Sequence, residues 1–213
     1  MTEQLIFRFA SNKIYSKDDF YVTKSNREAF MLIESWPKWL KRSLNIYGPS
    51  GSGKSHLASI FEKKTSFIKI ECSNLSDKIF MQFKLKESLI IENLDEKVPE
   101  KILYSLFNMA SQDNKYILIT SKKSLASFNF SLDDLQSRVN SSTIIEIKPP
   151  DDVLINVILS KNFSDRQINI DKKHIDYIIK RTDRSYEKIS QFILNLDNYS
   201  LRKGQSVGIK IIK

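Results

Sequence analysis

Two short stretches of the chain combine residue types that could handle a polyphosphate. GPSGSGKS, residues 48 to 55, places three glycines, a lysine and a hydroxyl at the spacing of a phosphate-binding loop. Gly51 and Gly53 let successive backbone N–H groups point at phosphate oxygens, and a helix starting there adds favourable partial charge. Lys54 can reach the outer phosphates and Ser55 can ligate magnesium. Gly48, Pro49, Ser50, Gly51, Ser52, Gly53, Lys54 and Ser55 are therefore the candidate nucleotide cradle. LIIENLD, residues 89 to 95, ends an apolar run on Glu92, where a strand-tip carboxylate can meet Mg2+. The next position often holds a second acid that orients an attacking water, and here it is Asn93. An amide cannot accept that water's proton, so strong intrinsic hydrolysis is not expected unless Asp95 or another group substitutes.

Three further stretches could touch a nucleotide. KYILITS ends in Thr120 and Ser121, hydroxyls that could sense a γ-phosphate or merely cap the segment after them. LDDLQSRV carries Arg138 on a polar helix end, and RTDRSYEKI carries Arg184 at the start of the last helix. Each is either a phosphate-facing guanidinium or a solvated surface group, and spacing does not decide between them.

The elements that must position these residues can be read from periodicity. SLNIY, SFIKI, SLIIE, KYILIT and TIIEI are short apolar strands separated by mixed segments, the pattern of a parallel α/β sheet with helices on its faces. REAFMLIESW, HLASIFEKK and PEKILYSLFNMA show apolar residues at helical spacing. Pro149-Pro150 ends the last strand, and from there to about Leu201 the chain reads as three helices, a small all-α domain. The expected division is an N-terminal peptide at 1–10, a nucleotide-binding core at 11–149 and a helical lid at 150–213.

Composition narrows the classes. A hydrophobic fraction of 41% and a charged fraction of 28% are ordinary for a soluble globular protein and suggest neither a disordered nor a membrane class. The net charge of +9 raises nucleic acid as a partner, but the 26 Lys and 8 Arg are scattered. Pairs such as Lys63-Lys64, Lys122-Lys123 and Lys172-Lys173 are interleaved with acids, which favours solvated faces over a DNA-binding stripe. Cys72 is the only cysteine, so an internal disulfide is impossible. MTEQLIFRFA lacks the basic start and long apolar stretch of a secretory signal, so a cytoplasmic protein with no membrane partner is expected.

In chain order, GPSGSGKS, LIIENLD, LITS, DDLQSRV, IKPPDD and RSYEKI match the motifs of AAA+ proteins. Over nearly its whole length the chain specifically resembles the branch formed by the bacterial replication initiator DnaA and its regulator Hda. FYVTKSNREAF and then WPKW resemble that family's lead-in, which lies against the adenine base. The resemblance implies a P-loop AAA+ core with a helical lid, bound ADP or ATP with Mg2+, Arg138 as an arginine finger acting in trans, and Arg184 as the lid's second sensor. Residues around Arg184 depart from the DnaA pattern. In QLIFRF, Gln4, Leu5, Phe7 and Phe9 match the family's peptide for the DNA polymerase III sliding clamp (beta subunit), in which an extended segment fills a groove. A core-packed N-terminal strand would also be apolar, Phe stands where aliphatic residues are common, and Arg8 interrupts the run.

The resemblance implies an Hda-like regulator that docks on the clamp and stimulates hydrolysis of DnaA-bound ATP, a negative control of initiation. DnaA's helix-turn-helix domain has no counterpart after the last clear helix, so no direct sequence-specific DNA binding is expected, while a homo-oligomer is allowed. Two alternatives stay open: a stand-alone P-loop ATPase or phosphotransferase with Asp95 as base, and a helicase loader of the DnaC type that binds single-stranded DNA.

Overall fold

The computed structural model describes residues 17–165 and 170–203, with side chains as far as residue 196. The five apolar runs form five strands: β1 (Ser43–Tyr47), β2 (Phe67–Glu71), β3 (Ser88–Leu94), β4 (Tyr116–Ser121) and β5 (Thr143–Glu146). They pair in the order β2-β3-β4-β1-β5, and every pairing is parallel. Parallel pairing requires crossovers, and helices supply them. α1 (Arg27–Ser35) precedes β1, and α2 (Lys54–Glu62) leads from β1 to β2. α3 (Lys78–Lys84), α4 (Glu100–Gln112) and α5 (Asp133–Asn140) make the next three connections. Periodicity alone does not mark α3, whose seven residues turn only Ile79 and Phe83 fully inward.

Helices on both faces explain why the central strands read as unbroken apolar runs. Side chains alternate along each strand. Leu89, Ile91, Ile117 and Ile119 meet Phe83, Leu106 and Leu135 of α3, α4 and α5 on one face. Leu44, Ile46, Ile90 and Leu118 meet Ile33, Leu57 and Phe61 of α1 and α2 on the other. Phe61 is fully buried, which contributes about 1.5–3 kcal/mol. Trp36 and Trp39 close this second layer, their rings 5.9 Å and 5.1 Å from Phe61 and both 5.8 Å from Tyr116 at the start of β4. WPKW thus seals the sheet's amino-terminal end. It does not lie where a base could meet it, which corrects that part of the lead-in expectation.

After the two prolines come α6 (Asp152–Asp165), α7 (Lys172–Arg181) and α8 (Tyr186–Lys203). Asp151 starts α6 by accepting the Leu154 N–H at 2.8 Å. The three helices enclose their own cluster of Ile155, Leu159, Phe163, Ile175, Ile178, Ile189, Ile193 and Leu196. Leu154 and Tyr186 belong instead to the α1/α2 layer, so the lid is packed onto the core through them. Among the described residues no helix is long and apolar enough to cross a membrane.

Candidate functional site

In a parallel sheet the carboxyl ends of neighbouring strands open onto one crevice. β1, β3 and β4 bring the loop, the acid and the two hydroxyls to that edge. The loop leaves β1 at Gly48, whose N–H donates to the Ser121 carbonyl at 3.2 Å. A Cβ on Gly48 would stand 2.7 Å from the Ile147 backbone oxygen, so this turn admits glycine alone without displacement. Gly53 takes φ 93° just before α2, and a Cβ there would press on the Phe20 ring at 3.1 Å. Lys54 opens α2 and folds back, donating to the Gly48 and Pro49 carbonyls at 2.7 and 2.8 Å. Its ammonium is desolvated by burial and repelled by Lys122, which together push its pKa down to about 8. Ser55 comes next in the first helical turn, half-buried.

Beside the loop lies a cavity of about 170 Å³ walled by Phe20, Tyr21, Gly53 and His56 from the core and by Ile158 and Tyr186 from the lid. Phe20 stacks on Phe30 at 5.6 Å and meets His56 edge-on at 5.1 Å, so its ring is fixed as a wall. FYVTKSNREAF therefore does lead in beside the loop. A flat heteroaromatic ring suits such a mixed aromatic and aliphatic slot.

The acid strand carries a bulge. Between the pairs Ile91–Ile119 and Leu94–Ser121, Glu92 and Asn93 together oppose Thr120 alone. Asn93 adopts φ 55°, its N–H donates to Thr120 Oγ1 at 3.1 Å, and its side-chain amide donates to Glu71 Oε2 at 2.9 Å. Asn93 is thereby aimed at the end of β2. Glu92 points the other way, into the α2 face, with its side chain only 6% exposed and Oε2 paired to Lys69 at 2.8 Å. Its Oε1 is buried without a hydrogen-bond partner. A hydroxyl in the first turn of α2 and a buried carboxylate with an orphaned oxygen are the two protein donors that a phosphate-bound Mg2+ uses, so Ser55 and Glu92 fit that ion.

Thr120 and Ser121, grouped by sequence, part company in the structure. Thr120 is 1% exposed and faces the bulge. Ser121 accepts from Asn45 Nδ2 at 2.9 Å and donates to the Lys123 carbonyl at 2.6 Å, so its hydroxyl is committed to joining β1 and β4. Asp95 accepts the Lys97 N–H at 2.9 Å in an exposed turn beyond the strand.

The two arginines lie elsewhere. Arg138 is exposed in the last turn of α5, and its guanidinium has no ion pair among the described residues. Its carbonyl accepts from Ser142 Oγ at 3.1 Å, which in turn bonds the hydroxyl of Ser43, the first residue of β1, at 2.7 Å. Arg138 thus sits at the amino-terminal end of the sheet, a full strand away from its own loop, about 15 Å by strand rise. Arg184 pairs with Asp152 at 3.1 Å within the lid. The residue of that segment that touches the loop is Tyr186, whose Cβ would be 3.3 Å from one added at Gly51.

Sequence reasoning passes over Lys122, Lys69 and Tyr186. Lys122 has a signal, since it directly succeeds the hydroxyl pair at a strand tip. Lys69 has none, because a lysine on an edge strand ordinarily reads as solvated. Gln4, Leu5, Phe7 and Phe9 lie outside the described residues.

No protein-family model matches the chain. It is 25% identical to the chromosomal replication initiator DnaA of Campylobacter jejuni (strain 81-176) over 231 aligned positions, 95% of this chain and 52% of that protein. The chain spans about half the length of the curated relatives it matches. Its fold is similar to domain III of Thermotoga maritima DnaA, with a TM-score of 0.74 at 18% identity, covering 94% of this chain and 95% of that one. It is also similar to AMPPCP-bound DnaA from Aquifex aeolicus, with a TM-score of 0.71 at 19% identity over 91% of this chain and 70% of that one. The chain therefore has the fold of the AAA+ proteins, and in sequence it is similar to DnaA initiators across the half of them that it spans.

Proposed function

We propose that the chain is an Hda-like regulator of replication initiation. It binds ADP or ATP, docks on the sliding clamp of DNA polymerase III and stimulates hydrolysis of ATP held by DnaA, acting in the cytoplasm. The observation that carries this reading is the placement of Arg138: exposed, without an ion pair among the described residues, and a strand length from its own phosphate loop. A guanidinium there serves a neighbour's nucleotide better than its own. On its own nucleotide, the loop from Gly48 to Ser55 holds the phosphates, and Phe20 and Tyr21 receive the base. Similarity to AMPPCP-bound DnaA supports adenine as that base. Ser55 and Glu92 would hold Mg2+, which when bound offsets phosphate charge. Thr120 is the hydroxyl best placed to read the outer phosphate. For Arg184 to act as second sensor it would exchange Asp152 for phosphate. Asn93 faces Glu71 and so activates no water, which suits a partner whose own ATP is consumed.

One assay tests this. DnaA-bound ATP hydrolysis is measured with DNA-loaded clamp, comparing wild type with Arg138→Ala. Stimulation by an arginine finger reaches roughly 10³ to 10⁵ in rate, so the variant should return DnaA to its unstimulated rate with nucleotide affinity unchanged. Robust turnover by the chain alone, lost in Lys54→Ala and indifferent to partners, would instead identify a self-sufficient ATPase. In a clamp pull-down Gln4→Ala with Phe7→Ala should abolish clamp capture, and undiminished capture removes the clamp-peptide assignment.

A further inference from the structure

Glu92 stands where a P-loop protein presents a carboxylate to magnesium, yet it already faces a cation. Lys69 Nζ, on a side chain 34% exposed, lies 2.8 Å from Glu92 Oε2, on a side chain only 6% exposed, so the carboxylate of the pair is shielded from water. Lys69 is held there by more than one contact. Its residue sits opposite Ile90 in the register of β2 and β3, on the face covered by α2. Its ammonium is also 2.9 Å from Glu62 Oε1, on the last residue of α2. Two carboxylates from two elements fix one ammonium in front of the candidate metal ligand.

The charge around this strand tip points the same way. Asn93 removes one negative charge from the position after Glu92, and Lys69 adds a positive one. Lys122 stands near enough to Lys54 to repel its ammonium. A divalent cation approaching Glu92 therefore meets the Lys69 ammonium at close range and a carboxylate with one oxygen already taken. Only Oε1 remains.

We propose that Lys69 is a built-in cation that takes over most of magnesium's electrostatic role at Glu92, so that adenine nucleotide binds the loop almost independently of Mg2+. The inference rests on the nucleotide-binding reading of the loop. It suits a site that retains nucleotide, because retention requires charge balance whereas phosphoryl transfer also requires a metal bridging the outer phosphates.

The test is titration of the whole chain with a fluorescent ADP analogue, in EDTA and in Mg2+. Wild-type Kd should change by less than about threefold between the two, because the positive charge is carried by the protein. Lys69→Met should bind at least about tenfold more tightly with Mg2+ than without, and Lys69→Arg should behave as wild type. Electron paramagnetic resonance of Mn2+ added to the ADP complex should show weak binding in wild type and tight binding in Lys69→Met. If circular dichroism shows Lys69→Met unfolded, Lys69→Gln keeps a hydrogen-bond donor facing Glu92 without the charge and should raise the Mg2+ dependence above wild type. A wild-type affinity that falls tenfold or more, on the order of 1.4 kcal/mol, in EDTA overturns the inference while leaving nucleotide binding in place. Absence of binding in both conditions overturns the nucleotide reading, and this inference with it.

Discussion

Lys54 donates to two carbonyls of its own loop and is only 7% exposed, so its charge is held at a cost. Burial first and Lys122 second push its pKa down to about 8 from 10.5. An unfolded lysine keeps its proton up to about 10.5, while the folded one releases it near 8. Between those values the unfolded chain binds more protons, so the stability of the nucleotide-free protein gains with rising pH from about 8 to 10.5, and below 8 the contribution is flat. Urea unfolding of wild type and Lys54→Met across that range should show wild type gaining on the variant only above pH 8. A wild type that loses ground to the variant above pH 8 contradicts the burial of the ammonium. The same scale separates Thr120 from Ser121, since only one of two adjacent hydroxyls is free of a structural bond across β1 and β4.

Among the elements, the bulge in β3 decides what the acid strand can do. Two residues opposing one turn Glu92 towards α2 and Asn93 towards β2. An acid at position 93 would therefore meet Glu71 and not a nucleotide. Asn93→Asp should give no gain in intrinsic ATP turnover. It should also lower stability at neutral pH by roughly 0.5–1 kcal/mol, because a hydrogen bond is exchanged for like-charge repulsion at an exposed edge. Turnover assays and thermal melts check both. A clear rise in hydrolysis would mean that residue 93 swings to the phosphate side when nucleotide binds.

At the scale of the whole molecule, core and lid meet through Tyr186. Its ring joins the α1/α2 layer, it touches the phosphate loop at Gly51, and its hydroxyl donates to the Lys148 carbonyl at 3.1 Å. Around it, Ser25 accepts the Asp151 N–H at 3.0 Å, and Asp19 pairs with Lys161 of α6. The segment before α1 and the C-terminal helices are thereby tied on either side of the cavity beside the loop. Tyr186→Ala should cost about 3–5 kcal/mol through the cavity it leaves. It should also raise hydrogen exchange in α6 and α8 while sparing β3 and β4. Tyr186→Phe keeps the packing and should cost only about 1 kcal/mol.

Strands, crossovers, the glycine turn ahead of α2 and the three C-terminal helices were legible in the chain because each is a local pattern: apolar runs bounded by breakers, glycines at fixed offsets, a proline pair succeeded by helical spacing. The Glu92 and Asn93 positions could be read for the same reason, and so could the question raised by the missing second acid. α3 was not legible, being too short for its two buried residues to mark a period. Nor could sequence spacing place WPKW, divide the labour of Thr120 and Ser121, pair Arg184 with Asp152 or bring Tyr186 to Gly51. Lys69 is the clearest case, a lysine that looks solvated in its own strand and becomes the partner of a buried glutamate 23 residues on. By itself the sequence determined which elements form and which chemical groups they carry, because those depend on neighbours along the chain. Which charges face each other was decided by the tertiary structure alone, because strand order, register and one bulge set distances between residues whose separation in sequence carries no such information.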